Sequence, residues 1–520
     1  MVKKIVITGG GSSGWMTAAH MVTHLTGIQI TLIESSDIPT LGVGESTVPP
    51  IVDFMAGLGV EEEDWMPKCH ATYKSSICFS EFHAKGDPLF WYPFIPMGMV
   101  EGRPISRYWM HKHLTDKAYS DRFTIYDYCS LVPEICRQGK TVKSVANAGY
   151  AYHVDAGLLG EYLKGLSVER GVEHVVDTIT QVKLHEDGSI KSLARENGAD
   201  LEGDLFIDCS GFQSLLLEKT LGEPFESYSD YLFNDMAVAT RVPYIDRDKE
   251  MVSYTMCSAQ SAGWVWQVPI YDRLGTGYVY SSAHKSTDEA ETEFRQFLGE
   301  KRVKDLEVRQ LKMRVGKQRR TWVKNCVAIG LSGGFVEPLE STGLVIVQGT
   351  VDVVTQILKS KCDYTTADVA TFNASVTRLY EIVRDFLVCH YALTSREDTS
   401  YWRDVKYTIK ISDSLAEKLQ IARANFPDAE YLSRFDNAGL AGFSFSDGWQ
   451  YILAGMNYLP FDYPQIRLNR MGPFEPHIEN NMEKAKLHQQ HLDDQRKQIQ
   501  HLPSHYRFLK DGHYRDVELG

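Results

Sequence analysis

Gly9, Gly11 and Gly14 fall at G-x-G-x-x-G spacing in GGGSSG, directly after the apolar run KKIVIT. In such a loop the first glycine makes a tight turn. The second lets the backbone approach a pyrophosphate, and the third lets helix and strand pack closely. Ser13 lies in the same loop, where a helix N-terminus faces phosphate charge. Glu34 closes the next apolar run, QITLIE, 20 residues after Gly14, and its carboxylate can accept hydrogen bonds from ribose hydroxyls. Together these predict a dinucleotide site; a glycine turn with nothing bound is the simpler alternative. The motif does not separate FAD from NAD. Two more runs end in small-residue turns, DLFIDCSGF (204–212) and NCVAIGLSGG (325–334). Several strand-end turns converging on one cofactor suit the longer FAD molecule.

A second group of residues is aromatic. In GWVWQVP, Trp264 and Trp266 stand two apart, so in a strand both indoles share one face. They serve either as plain core or as a wall inside a reaction chamber.

The elements that must position these residues follow from periodicity. Residues 3–8 read as a buried parallel strand, 13–26 as a helix and 29–34 as a second strand. A helix is expected near 155–169, antiparallel strands over 263–283, and strand, glycine turn and helix over 325–349. From about 365 the pattern is mostly helical, ending in a polar helix over 483–502. His488 and His491 lie on that last helix and read as solvated surface, not metal ligands; the helix could also mediate contacts in a homo-oligomer. No repeat or low-complexity linker separates the parts.

The chain of 520 residues exceeds what one core supports, so two or three lobes are expected. A net charge of -13 argues against a nucleic-acid surface, which needs clustered Lys and Arg. Nine cysteines without a CxxC pair fit free thiols in a reducing compartment and no zinc site. No run of about 18 apolar residues suggests a membrane span, and the cytoplasm is the default.

Taken together the motifs resemble the flavin-dependent halogenases of the tryptophan-halogenase type. GGGSSGWMTA is similar to the family's N-terminal loop, and ATYKSSICF (71–79) to the segment carrying its lysine. GWVWQVP resembles W-x-W-x-I-P with Val268 in the isoleucine place, and FVEPLESTG (335–343) fits F-x-x-P-x-x-S-x-G. Weaker likeness runs through residues 379–402, and the whole covers residues 1 to about 460.

The resemblance implies an α/β fold. A Rossmann-like FAD-binding domain of the flavin monooxygenase type, residues 1–365, would be interleaved with a mixed sheet; a largely helical substrate lobe would follow over 366–520. It implies that a separate NAD(P)H-dependent reductase supplies reduced FAD, that oxygen and a halide give hypohalous acid, and that a lysine delivers the halogen to an electron-rich ring. Lys74 matches that lysine; most lysines, however, only reach for solvent. Glu340 matches the catalytic glutamate; a carboxylate stabilised at a helix N-terminus is the plainer reading. Thr342 and Gly343 match the halide-holding backbone, and Trp264 and Trp266 the wall between flavin and substrate. Leu331, Leu344, Ser35, Ile38, Glu45 and Ser46 match flavin contacts, and Tyr92, Phe94 and Trp449 fall at the substrate side.

The sequence departs from members acting on free tryptophan. Tyr92 stands in a histidine place, and residues 432–448 lack the aromatic and acidic clamp for the amino acid's backbone. Indoles or other flat aromatics held by stacking are therefore the expected substrates, with bromide or iodide favoured over chloride. A flavin monooxygenase and a non-catalytic flavin-binding protein are the rival readings.

Overall fold

The computed structural model describes residues 1–36, 44–95, 98–100, 103–115, 124–144, 149–424, 445–459 and 475–515. The run KIVIT forms the strand Lys4–Thr8 at the middle of a six-stranded sheet. Gln29–Glu34 and Leu205–Asp208 flank it in parallel, Glu173–Val176 and Cys326–Ala328 extend it, and Trp322–Val323 closes one edge antiparallel. The three central strands are largely apolar runs because both their faces are covered. Ile5, Ile7 and Leu32 enter the main core, while Val6, Phe206 and Cys326 pack on the other side against Ile190 and Leu193.

The first helix spans Ser12–His24, starting one residue and ending two residues earlier than its periodicity suggests. It stops because Leu25 turns extended (φ -107°, ψ 134°) and Gly27 takes φ +75°. The helix Ala156–Glu169 and the strands Gly263–Pro269 and Arg273–Tyr280 form where the pattern places them.

A seven-stranded sheet carries the paired tryptophans. Its strands are Arg309–Lys312, Met236–Pro243, Arg273–Tyr280, Gly263–Pro269, Tyr254–Ala259, Ser76–Ser80 and Phe90–Pro93, in that order. Register pairs Trp266 with Cys257, Cys257 with Phe79, and Ile77 with Tyr92. Paired residues share a face, so one face carries the tryptophans at one end and Tyr92 at the other. The opposite face, with Val265, Tyr278 and Tyr280, is closed by Ala290 and Phe294 of the helix Thr287–Leu298. A small sheet of Gly44–Ser46, Ala151–Asp155 and Thr72–Lys74 packs against the seven-stranded one.

After residue 362 the described chain is helical. The helix Thr366–Ala392 starts in a capping box between Thr365 and Asp368, a device worth about 1 kcal/mol. The expected boundary at 365/366 falls just before it. The polar helix runs Glu475–Ile499, longer at its start than the pattern indicates, and buries Ala485, Leu492 and Ile499. Gln489 donates to the Tyr128 carbonyl at 2.5 Å, so this face is used within the chain. His491 is exposed as expected, whereas His488 is half-buried against Gly98, a correction to its reading as solvated surface. A short last helix, His505–Gly512, folds back under the strand Thr72–Lys74.

Among the described residues no helix is long and apolar enough to cross a membrane, and no three His, Cys, Asp or Glu side chains gather to hold a metal ion. The nine cysteines are free thiols, all but Cys362 buried.

Candidate active site

The glycine loop is built as its spacing requires. Gly9 takes φ +105°, and a Cβ there would lie 2.3 Å from the Cys209 carbonyl oxygen. A Cβ on Gly14 would lie 1.9 Å from the Gly9 oxygen. Gly11 is different: a Cβ there would meet nothing within 4 Å. The helix that follows has no side-chain cap, so its first N–H groups point toward that space. Glu34 sits beside the loop, its Oε1 2.7 Å from His174 Nε2 and its Oε2 against Gly10. Ser13 packs on Gly330, which brings in the turn bearing half-exposed Leu331. Asp208, at the end of its strand, accepts bonds from the Ser210, Leu216 and Leu217 N–H groups and orders its own turn. Ser35 Oγ lies 3.3 Å from Thr178 Oγ1. Ile38 lies outside the described residues. An open cradle, an uncapped helix start and a carboxylate at the next strand end fit the pyrophosphate and ribose of FAD.

Lys74 does not reach for solvent. Strand alternation turns Tyr73 outward from the site and Lys74 into it, where the side chain is wholly buried. Nζ donates to the Thr47 carbonyl at 2.8 Å and to Ser341 Oγ at 3.0 Å, and stands 4.8 Å from the centre of the Phe94 ring. Burial pushes its pKa down to about 7, against the opposing pull of Glu340.

Glu340 is not a helix-terminal carboxylate either. It ends the 3₁₀ turn Pro338–Glu340, Ser341 follows at φ +58°, and the helix Gly343–Lys361 has no acidic residue in its first turn. Its side chain is fully buried, with His390 Nε2 at 2.8 Å from Oε1. Burial pushes the Glu340 carboxyl up, while His390 and then Lys74 hold it back. His390 Nδ1 lies 2.9 Å from the Phe386 carbonyl oxygen one helical turn earlier. Sequence reasoning missed His390; the signal was an ionisable residue on the apolar face of FLVCHYAL. Beside it, Asn234 donates to Glu337 Oε2 at 2.7 Å and to Tyr391 Oη at 3.1 Å, and burial pushes Glu337 up to about 7.

Where the helix Gly343–Lys361 begins, Thr342 Oγ1 is buried and has no hydrogen-bond partner among the described residues. Gly343 is exposed and a Cβ there would meet nothing within 4 Å; Leu344 is half-buried. This is a second uncapped helix start beside an open space. Glu45 and Ser46 approach from the small sheet, and burial with Asp155 nearby pushes Glu45 up to about 7.

The indoles of Trp264 and Trp266 are buried with ring centres 6.3 Å apart. Trp266 lies flat on Gly277, where a Cβ would come within 2.1 Å of the ring. On the same face Cys257 Sγ reaches the Leu339 carbonyl at 3.8 Å, which docks the Glu340 turn on the sheet. Tyr92 and Phe94 meet edge to face at 5.7 Å. Phe386 joins Tyr92 at 6.1 Å to Trp449 at 4.9 Å, with Phe445 stacked on it at 3.8 Å. Phe386 and Phe445 complete an aromatic cluster that sequence reasoning had only in part. Residues 432–444 of the segment read as lacking an amino-acid clamp, 432–448, lie outside the described residues.

Residues 4–470 match the tryptophan halogenase family. The 7-chloro-L-tryptophan 6-halogenase of Kutzneria sp. (strain 744) is 39% identical over 456 residues, 82% of this chain and 86% of its own. The crystal structure of a tryptophan 6-halogenase from Streptomyces toxytricini superposes with a TM-score of 0.84 at 36% identity, covering 98% of this chain and 99% of the other. A flavin-dependent halogenase from Xanthomonas campestris superposes with a TM-score of 0.83 at 30% identity over 98% of each chain. The mixed α/β fold with a helical C-terminal region is that of these enzymes. A buried lysine and glutamate beside an aromatic cluster, joined to a dinucleotide cradle, thus sit in a chain that belongs to the tryptophan halogenase family and is a flavin-dependent halogenase.

Proposed function

We propose that this enzyme halogenates electron-rich, indole-type aromatics, with reduced FAD delivered by a separate NAD(P)H-dependent flavin reductase. The observation that carries the reading is the wholly buried Lys74 amine, set between the Ser341 hydroxyl and the Phe94 ring with Glu340 nearby. Bound reduced FAD supplies the chemistry by which oxygen oxidises a halide to hypohalous acid.

The chain's own residues do the rest. Gly9, Gly11, Ser13 and Gly14 cradle the pyrophosphate, and Glu34 takes the ribose. Ser35, Glu45, Ser46, Leu331 and Leu344 surround the flavin. The N–H groups at Thr342 and Gly343 hold the halide. Trp264 and Trp266 wall the organic ring off, so that only a small anion and its oxidised product pass. Lys74 receives the hypohalous acid. With a pKa near 7, both ammonium and amine are populated at neutral pH. The first donates a hydrogen bond to the acid; the second can take its halogen. Tyr92, Phe94 and Trp449 hold the ring by stacking. Glu340 takes the ring proton after halogen adds, help of the kind typically worth about 10²–10⁴-fold.

Bromide is expected ahead of chloride because it is the more easily oxidised anion; equal product yields at equal concentrations of the two would refute that order. The deciding experiment is mass spectrometry of a reaction with FAD, a flavin reductase, NADH, bromide and either indole or free tryptophan, with catalase present. A brominated product that disappears in Lys74→Ala is expected. A hydroxylated product instead would identify a monooxygenase, and a faster reaction with free tryptophan would show that the amino-acid clamp exists in another form.

A further inference from the structure

A line of side-chain hydroxyls leads away from Lys74 through Ser341. Lys74 Nζ donates to Ser341 Oγ at 3.0 Å, and Ser341 Oγ donates to Ser46 Oγ at 3.0 Å. Ser46 Oγ lies 2.7 Å from Thr255 Oγ1, and Thr255 Oγ1 lies 2.9 Å from His153 Nε2. His153 Nδ1 in turn lies 3.4 Å from Thr72 Oγ1. Every group in this line is buried except Ser46, which is half-buried.

The far end fixes the direction of every hydrogen bond. Thr72 donates its hydroxyl proton to the Pro269 carbonyl at 2.6 Å. Its oxygen is then left to accept from His153 Nδ1–H, which makes Nε2 the lone-pair nitrogen. Nε2 accepts from Thr255, Thr255 accepts from Ser46, and Ser46 accepts from Ser341. All the hydroxyl protons therefore point away from the lysine and toward a basic nitrogen.

Resting on the reading of Lys74 above, we propose that Ser341, Ser46, Thr255 and His153 form a proton relay that lets the buried lysine lose and recover a proton while the site stays closed to water. The transfer balances without any co-reactant. The lysine proton passes to Ser341 as the Ser341 proton passes to Ser46, the Ser46 proton to Thr255, and the Thr255 proton to His153 Nε2. Lys74 ends as a neutral amine and His153 as an imidazolium, and the reverse movement restores both. Burial, Lys74 and His505 hold His153 well below the ordinary histidine range, so it returns the proton readily and does not trap it. The other titratable groups packed around the line are Glu340 and Cys257 at the lysine end, His505 at the histidine end, and Glu45 with Asp155 beside Ser46. Cys257 is held well above the usual thiol range and stays neutral. Ser341, Ser46, Thr255 and His153 act through Lys74 and are positioning residues in this sense.

The test uses single turnovers of the whole enzyme with pre-reduced FAD, bromide and indole, across pH 6–9 and in mixtures of light and heavy water. Thr255→Val keeps the shape and removes one link; Thr255→Ser restores the hydroxyl; His153→Gln keeps an acceptor that takes up no proton. The wild type is expected to show a curved dependence on deuterium fraction, because several protons move together. Thr255→Val and His153→Gln are expected to lose ten-fold or more in rate and to lose that curvature, with KM for indole and FAD binding unchanged. Thr255→Ser is expected within two-fold of wild type. Wild-type rate and curvature in either Thr255→Val or His153→Gln would overturn the relay, as would a loss in Thr255→Val that Thr255→Ser does not restore. A wild type that forms no halogenated product would instead overturn the functional reading, and the relay with it.

Discussion

His390 Nε2 stands 2.8 Å from Glu340 Oε1, with both side chains wholly shielded from water. His390 Nδ1 is matched to the Phe386 carbonyl at 2.9 Å, so its N–H belongs there and Nε2 is free to face the carboxyl. A lone pair and a carboxylate oxygen repel at this distance, so one proton lies between them. In the proposed reaction, where Glu340 takes the ring proton, His390 holds the proton that Oε1 would otherwise keep and so leaves the carboxyl able to accept another. Replacing His390 by Phe removes the imidazole and one of the influences that hold the Glu340 carboxyl down. The acid limb of the rate–pH profile should move up, and the rate at pH 7 should fall about ten- to hundred-fold. His390→Gln should fall less. Rate–pH profiles of the two variants decide it; a His390→Phe profile on top of the wild type's would exclude the pairing from the reaction.

Gly11 and Gly14 should respond in opposite ways to the same added methyl group. Gly11 has φ -76° and ψ -177°, open to any residue, and nothing stands within 4 Å of its Cβ position. Gly11→Ala should fold with an unchanged melting temperature while binding FAD at least ten-fold more weakly, because the methyl occupies the pyrophosphate's space. Gly14→Ala puts the methyl 1.9 Å from the Gly9 oxygen, in the backbone of the loop itself. It should lower stability by about 1–3 kcal/mol. Thermal melts with and without FAD separate the two; tight FAD binding by Gly11→Ala would place the pyrophosphate elsewhere.

Trp266 rests on Gly277, and its ring has no room to tilt toward the sheet. Trp266→Ala should open the wall between the flavin side and the aromatic cluster. Reduced flavin should then be consumed with less halogenated product, so the ratio of product to NADH oxidised should fall several-fold. Truncating an aromatic of this size in a packed site costs about 3–5 kcal/mol of stability, so the ratio should be read below the variant's melting range. An unchanged ratio would reduce the pair to core packing.

Local sequence carried the glycine loop well because its signals are local. KIVIT, QITLIE and LFID are apolar on both faces, and the glycines sit where backbone meets backbone. Trp264 and Trp266 were legible for the same reason, since alternation alone sets them on one face. Lys74 and Glu340 were found through family motifs, and their burial was not legible at all. It depends on Thr47, Phe94 and Ser341 arriving from elsewhere in the chain. His390 was hidden for a related reason: its partner lies 50 positions earlier, in a different element. The line from Lys74 to His153 depends on pairing Ser46 and Thr72 with His153 across one small sheet, and periodicity holds no information on such register. The helix His505–Gly512 is only eight residues long and gives too little pattern to be seen.

Lys74 should also make the protein less stable than it could be. In the unfolded chain the amine titrates near 10.5, and in the fold burial brings it to about 7. Between these values the unfolded state binds more protons than the folded one, so stability attributable to this group rises with pH through that window. Below about pH 7 the fold carries a buried ammonium at full cost; above about 10.5 the cost is gone. Lys74→Met keeps the length and removes the charge. It should abolish halogenation and raise stability by about 2–4 kcal/mol at pH 6, since each unit of displacement corresponds to about 1.4 kcal/mol and partial relaxation reduces the total. The gain should shrink steadily toward pH 9. Denaturant melts of both proteins at pH 6 and pH 9 measure it. An equal gain at the two pH values would mean that better packing, not the removed charge, is responsible, and a loss at pH 6 would mean that the Thr47 and Ser341 hydrogen bonds outweigh the desolvation of the ammonium.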